Sequence, residues 1–158
     1  RYRLGQAAWG DAASPVQIDA EWRGPMPVLP PRIDVARHAA CDVAPIDLAD
    51  DEAVLRLTSY VWPEQRERLQ RLTAAIALAR EVGLHVDRAD ALPWVRAALA
   101  PTRTGQATVF YHSVMWQYMP VATREALRDV IAAAAARATR EAPLACASSS
   151  GARPVSRP

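Results

Sequence analysis

His112 and Ser113 close an apolar run, Ala107-Thr108-Val109-Phe110-Tyr111, and Met115, Trp116 and Tyr118 follow at once. An imidazole and a hydroxyl at the tip of such a run suggest either a nucleophile–base pair or a polar tip that meets a ligand. The first reading fails on geometry: adjacent strand residues project to opposite faces, and no G-x-S-x-G elbow surrounds Ser113. The second stands, because ligands of open α/β sheets bind at the carboxyl ends of the strands. Asp42 and Asp47 are the next candidates, since loop carboxylates can hold a ribose hydroxyl or a cation. The alternative is local: Asp47 or Asp50 capping a helix over Asp51 to Tyr60. Asp90 has the same two readings, as a cap for the helix Ala91 to Leu99 or as a ligand contact. His38 and Cys41 do not form a metal site, because their odd separation puts them on opposite faces of a strand and no second ligand pair follows.

These residues need elements to hold them. The run ending at His112 lacks strict alternation and predicts a strand buried on both faces, as in a parallel sheet covered by helices. Val16 to Trp22 alternates and predicts a half-exposed strand. Trp9 and Trp22 are expected to pack against the sheet edge. Val35 to Cys41 and Leu84 to Arg88 read as further strands. A helix is predicted from Trp62-Pro63-Glu64 to Gly83, with Leu69, Leu72, Ile76 and Ala79 on its apolar stripe and Arg66, Arg68 and Arg71 on its polar side. Leu92, Val95 and Leu99 form the stripe of the next helix. Pro120 starts a last one, predicted to run to about Arg140, with Leu127, Val130, Ile131 and Ala134 inward and Arg124, Arg128, Asp129 and Arg137 mostly outward. Strands alternating with helices predict an α/β fold with right-handed crossovers and a mostly parallel sheet.

Composition narrows the partners. The chain has 158 residues and a net charge of +2, which argues against nucleic-acid binding through bulk positive potential. All 19 basic residues are arginine, so a lysine Schiff base and a phosphate-loop lysine are both excluded. No G-x-G-x-x-G motif is present. The longest apolar tract, Val130 to Ala136, is far short of the roughly 20 residues a membrane helix needs, so no membrane partner is expected. Two cysteines, Cys41 and Cys146, point to a reduced, cytoplasmic setting rather than a disulfide framework. The chain opens at Arg1 rather than methionine, which suggests a processed product or part of a longer protein.

Four segments also carry a resemblance: Cys41-Asp42-Val43-Ala44-Pro45-Ile46-Asp47, Val61-Trp62-Pro63-Glu64-Gln65-Arg66-Glu67-Arg68-Leu69, Asp90-Ala91, and His112-Ser113-Val114-Met115-Trp116-Gln117-Tyr118. Over roughly Arg1 to Leu144 the chain resembles the bacterial uncharacterised family catalogued as domain of unknown function 2332. That family is similar in layout to Rossmann-like S-adenosylmethionine-dependent methyltransferases. The resemblance implies a partial three-layer fold over residues 1–144 that lacks the first strand, with its glycine-rich turn, and the last strands. The chain would then be an internal fragment, inactive alone.

The same resemblance implies S-adenosylmethionine as the cofactor and no metal. Asp90 would accept from the adenine amino group and Ala91 would lie against the ring. His112 and Ser113 would stand beside the transferred methyl. Trp116 and Tyr118, with Asp42 and Asp47, would lie on the substrate side. Ala145 onward departs from the family pattern, and residues 145–158 are expected to form a disordered, low-complexity tail. The competing expectation is a non-catalytic α/β module that associates with itself or a partner through an exposed sheet edge or uncovered apolar face.

Overall fold

The computed structural model describes residues 1–26 and 28–149. It divides into two compact units, Arg1–Arg88 and a second from Ala89 onward; among the described residues the first has two small sheets, the second has one, and each has two α-helices.

In the first unit, β1 (Tyr2–Leu4) turns back into β2 (Ala7–Trp9) through Gly5-Gln6, with Gly5 at φ +61°. Only glycine enters that region without a Cβ penalty. β3 (Ile18–Ala20), inside the alternating stretch predicted as a strand, pairs parallel to β1. Arg3 stands opposite Asp19 in that register and grips it through Nε and, at 2.7 Å, through Nη2. The hydrogen-bonded guanidinium holds the Asp19 carboxyl below its ordinary value of 3.8. A lowered carboxyl pKa stabilises the fold above the ordinary value and loses that contribution as pH falls through the folded one. Acid titration is therefore expected to loosen β1–β3 in a step below pH 3.8 that Asp19→Asn lacks. The pair is exposed, so the step is small; amide exchange of Tyr2–Leu4 against pH measures it.

Trp9 is half-buried in β2 and donates to Pro30 O at 2.7 Å, while Trp22 lies outside the strands, exposed, and donates to Pro25 O at 2.9 Å. The indoles are thus held by the proline-rich segment, and only Trp9 is part of the sheet. The strand expected over Val35 to Cys41 reduces to β4 (Cys41–Asp42), and that over Leu84 to Arg88 reduces to β5 (Asp87–Arg88). These two pair parallel over two residues each; the preceding residues find no partner strand, and an apolar run without one has no ladder to join.

α1 (Asp51–Ser59) begins where Asp50 caps it, its carboxylate accepting from Glu52 N–H at 2.9 Å. α2 (Arg66–Glu81) begins later than predicted, because Trp62 to Gln65 closes a separate turn, Gln65 N–H to Trp62 O at 2.9 Å. Its stripe is as expected: Ile76 is buried and Leu69, Leu72 and Ala79 are half-buried. It ends in a Schellman motif, with Gly83 at φ +62° and Leu84 N–H returning to Ala79 O at 2.9 Å.

The second unit is a βαβ arrangement with one added helix. α3 (Ala91–Leu99) precedes β6 (Thr108–Ser113), a 3₁₀ turn spans Val114–Tyr118, and α4 (Val121–Ala136) leads to β7 (Leu144–Ser149). α4 is shorter than predicted: Ala138 N–H bonds back to Ala135 O as the last turn unwinds, and Thr139 and Ala142 close a turn on each other. β7 runs parallel to β6 from Thr108↔Leu144 to Ser113↔Ser149. Where a disordered tail was expected from Ala145, the chain is thus a strand as far as Ser149. Its small residues give little local β signal, and the ladder from β6 supplies what propensity does not. Residues 150–158 lie outside the described residues.

The core of this unit is Val95, Leu99, Leu127 and Ala134, flanked by Phe110, Trp116, Val130, Ile131 and Leu144. These include the inward stripes read from α3 and α4. The opposite face of β6 corrects another expectation. Burial alternates along the strand, with Val109 at 68% and Tyr111 at 60% exposure, because helices cover one face only. Among the described residues, hydrogen bonding makes three small sheets, β2-β1-β3, β4-β5 and β6-β7, rather than one continuous sheet. The fold is mixed α/β, and its parallel pairs are β1–β3, β4–β5 and β6–β7.

Candidate functional site

The carboxyl end of β6 gathers most of the residues that could act on a ligand. The strand delivers His112 on the half-buried face and Ser113 on the exposed one, as adjacent strand positions must. Ser113 is extended at φ −113° and ψ −165°, and the following 3₁₀ turn folds the chain back. The reversal stacks the Trp116 ring on His112, with centroids 4.7 Å apart and planes inclined by 22°. Phe110 borders His112 on the strand side at 6.0 Å. From α4, the Arg128 guanidinium carbon sits 5.5 Å from the Trp116 ring centroid, within cation–π range. Imidazole, indole and guanidinium therefore form one connected group.

Among the described residues of this unit, two side-chain nitrogens are buried without a hydrogen-bond partner: His112 Nδ1 and Arg124 Nε. Buried polar atoms are nearly always paired, so each exception calls for a physical account. Arg124 lies one helical turn before Arg128 on α4, and residues four apart share a helix face. Among the described residues neither arginine forms an ion pair, although Glu125 and Asp129 follow them directly in sequence. The expectation of an outward position holds for Arg128, which is exposed, and needs correcting for Arg124. Arg124 is half-buried and Arg128 lies over an indole. Arg137, also read as outward, is exposed and donates to Leu99 O at 3.1 Å and Ala133 O at 2.9 Å. The available signal was the four-residue spacing of Arg124 and Arg128 just after an aromatic cluster.

The remaining candidates divide between the units. Asp90 caps α3, its Oδ1 accepting from Leu92 N–H at 2.9 Å. Ala91 is half-buried and packs against the same apolar cluster as Trp116. Tyr118 is 78% exposed. Asp42 and Asp47 belong to the first unit, where each closes a local turn, Asp42 accepting from Ala44 N–H and Asp47 from Ala49 N–H, both at 2.8 Å. Asp50, not Asp47, caps α1. The second unit also has a cavity of about 30 Å³ beside Leu99, Thr108, Arg137 and Leu144. It lies where β6 and β7 start, away from His112, and has room for little more than a water.

No group of three or more His, Cys, Asp or Glu among the described residues could hold a metal ion, and no helix among them is long and apolar enough to cross a membrane. A search of curated proteins finds no match, and neither does a search of solved structures. A family model does match, over residues 1–155, described as an uncharacterized protein conserved in bacteria (DUF2332). Those residues take in both units and every candidate side chain named above, and the chain belongs to that bacterial family.

Proposed function

We propose that the second unit binds S-adenosylmethionine at the carboxyl end of β6, as the cofactor-binding part of a methyltransferase. The observation that carries this reading is His112 Nδ1, buried and unpartnered at the tip of a parallel strand, where α/β folds place their ligands. A ligand hydrogen bond there would satisfy that nitrogen. Ser113 offers its hydroxyl from the neighbouring position. Asp90 keeps Oδ2 for the adenine amino group while Oδ1 caps the helix, and Ala91 offers a small apolar surface for the ring. Trp116 and Tyr118 would face the acceptor, which takes the methyl from the sulfonium and leaves S-adenosylhomocysteine. No residue of the chain is assigned as a base in that transfer.

The test is calorimetric titration of S-adenosylmethionine into the chain. Saturable heat is expected, weakened about two- to tenfold in His112→Ala by loss of one hydrogen bond. No heat and no thermal shift at millimolar ligand would overturn the reading for this chain. The same titration on a chain extended upstream tests the family.

One observation favours a second reading, a non-catalytic interaction module. Val109 and Tyr111 are exposed on the uncovered face of β6, and the register sets Ala145 and Ala147 of β7 beside them. Sheet faces and edges left open in this way favour association. Sedimentation at rising protein concentration, with Tyr111→Lys as the control, separates this reading from the first.

A further inference from the structure

The two arginines of α4 do not need the cofactor reading to make sense. Arg124 Nε is buried with no partner, and among the described residues no carboxylate pairs with Arg124 or Arg128. Burying part of a guanidinium without a counter-charge is unfavourable, and the fork geometry of arginine suits a planar or tetrahedral oxyanion. Some exposed arginines elsewhere take partners, Arg3 with Asp19, Arg80 with Asp51 and Leu48 O, and Arg137 with Leu99 O, whereas Arg124 is half-buried and its buried Nε has none. Trp116 beneath Arg128 fixes that guanidinium without neutralising it, because a ring face attracts a cation and leaves its N–H groups free to donate.

We infer that Arg124 and Arg128 form an oxyanion site that takes the carboxylate or phosphate group of a small ligand, on the α4 face that packs against Trp116. Arg124 Nε–H donates to one oxygen, and the Arg128 guanidinium, held on the indole, supplies the second contact and the balancing charge. The site sits one stacked ring away from His112. A ligand that also reaches Nδ1 of that histidine would therefore carry its anionic group toward α4. Only this last extension, the identity of the whole ligand, rests on the cofactor reading.

Arginine side-chain ¹H–¹⁵N spectra of the intact chain provide the test, with inorganic phosphate and acetate as probes against chloride at matched ionic strength. The Arg124 Nε–H resonance is expected to shift saturably with phosphate or acetate and not with chloride. Arg128→Gln should weaken binding about tenfold, the loss expected for one charge-assisted contact. Arg124→Lys, which keeps the charge and removes the fork, should weaken it too while leaving the melting temperature near that of the parent. Arg96→Gln on α3 should change neither. A shift that does not saturate, or one that chloride reproduces, overturns the site. Phosphate binding without heat from S-adenosylmethionine would keep the site and remove the cofactor reading. Heat from S-adenosylmethionine with an unmoved Arg124 resonance would do the reverse.

Discussion

Leu127→Ala is expected to destabilise the protein by about 3–4 kcal/mol, the largest effect of any single truncation considered for this chain. Leu127 is 2% exposed and is the largest fully buried side chain among the described residues. It sits at the centre of the cluster formed by Val95, Leu99 and Ala134, where α3 and α4 meet. Removing its three outer carbons forfeits their transfer free energy and leaves a void that two helices fixed to a short parallel sheet can close only in part. Buried apolar volume is scarce, because among the described residues three of the eight buried apolar residues of the two units are alanines, Ala53, Ala134 and Ala142. Domains of this kind are stable by only about 5–15 kcal/mol, so the loss is a large fraction of the total. Urea unfolding followed by circular dichroism measures it as a lower midpoint at unchanged slope. Leu55→Ala is the control: Leu55 lies on α1 at 69% exposure, and its truncation should stay within about 0.5 kcal/mol. If the two variants unfold alike, the inward face assigned to α4 is wrong.

That inward face is legible in the sequence alone, and the reason is physical. Helix stripes and caps are local: Leu127, Val130, Ile131 and Ala134 recur at helical spacing whatever lies opposite them. Asp50 and Asp90 mark their helix starts by chemistry that acts within two residues. Gly83 ends α2 because the left-handed turn there requires a residue without Cβ. Strand pairing is not local, and it is where expectation and structure part. Ala107 to Tyr111 is apolar, β-branched or aromatic at every position, which reads as burial on both faces, yet only one face is covered. The sequence suggests a strand beginning at Pro143-Leu144, but its continuation is hidden because Ala145-Cys146-Ala147-Ser148 carries no bulky or β-branched side chain, and only the register against β6 identifies it. Val35 to Cys41 has the opposite problem, with a local β signal of which, among the described residues, only Cys41 joins a strand, pairing with Asp87 of β5.

The candidate site divides on the same line. His112, Ser113 and Trp116 could be placed from sequence because the strand and the turn after it are contiguous. The stacking of Trp116 on His112 follows from a reversal four residues long. Arg124 could not be placed, since its environment depends on how α4 packs, and an arginine on an amphipathic helix is by default read as solvated. Asp42 and Asp47 show the converse. An aspartate in a loop resembles a ligand contact in any sequence, and here each carboxylate is accepting from a backbone N–H two residues on. The family match assigns no chemistry to these positions, so the electrostatics of the β6 end has to be tested directly.

Asp90 allows such a test, because its two possible duties respond differently to substitution. Asp90→Ala is expected to cost about 1 kcal/mol, and at most about 2, by exposing the first turn of α3. Pro93 at the third helical position has no N–H, so Leu92 N–H is the donor the cap can reach, at 2.9 Å. α3 has no acidic residue in its first turn, so Asp90 is also the nearest negative charge to the positive end of the helix dipole. Asparagine caps as well as aspartate, and Asp90→Asn should therefore retain all but a few tenths of a kcal/mol, the part owed to charge. The adenine contact reverses that ranking. With Oδ1 committed to the cap, asparagine presents an NH₂ donor where the adenine amino group needs an acceptor. If Asp90 binds the cofactor, Asp90→Asn should melt near the parent yet bind S-adenosylmethionine about tenfold more weakly, a difference of about 1.4 kcal/mol. Thermal melts and calorimetry on the same two variants separate the cases. Unchanged affinity in the asparagine variant would leave Asp90 a helix cap alone and move the recognition of any adenine ring away from α3.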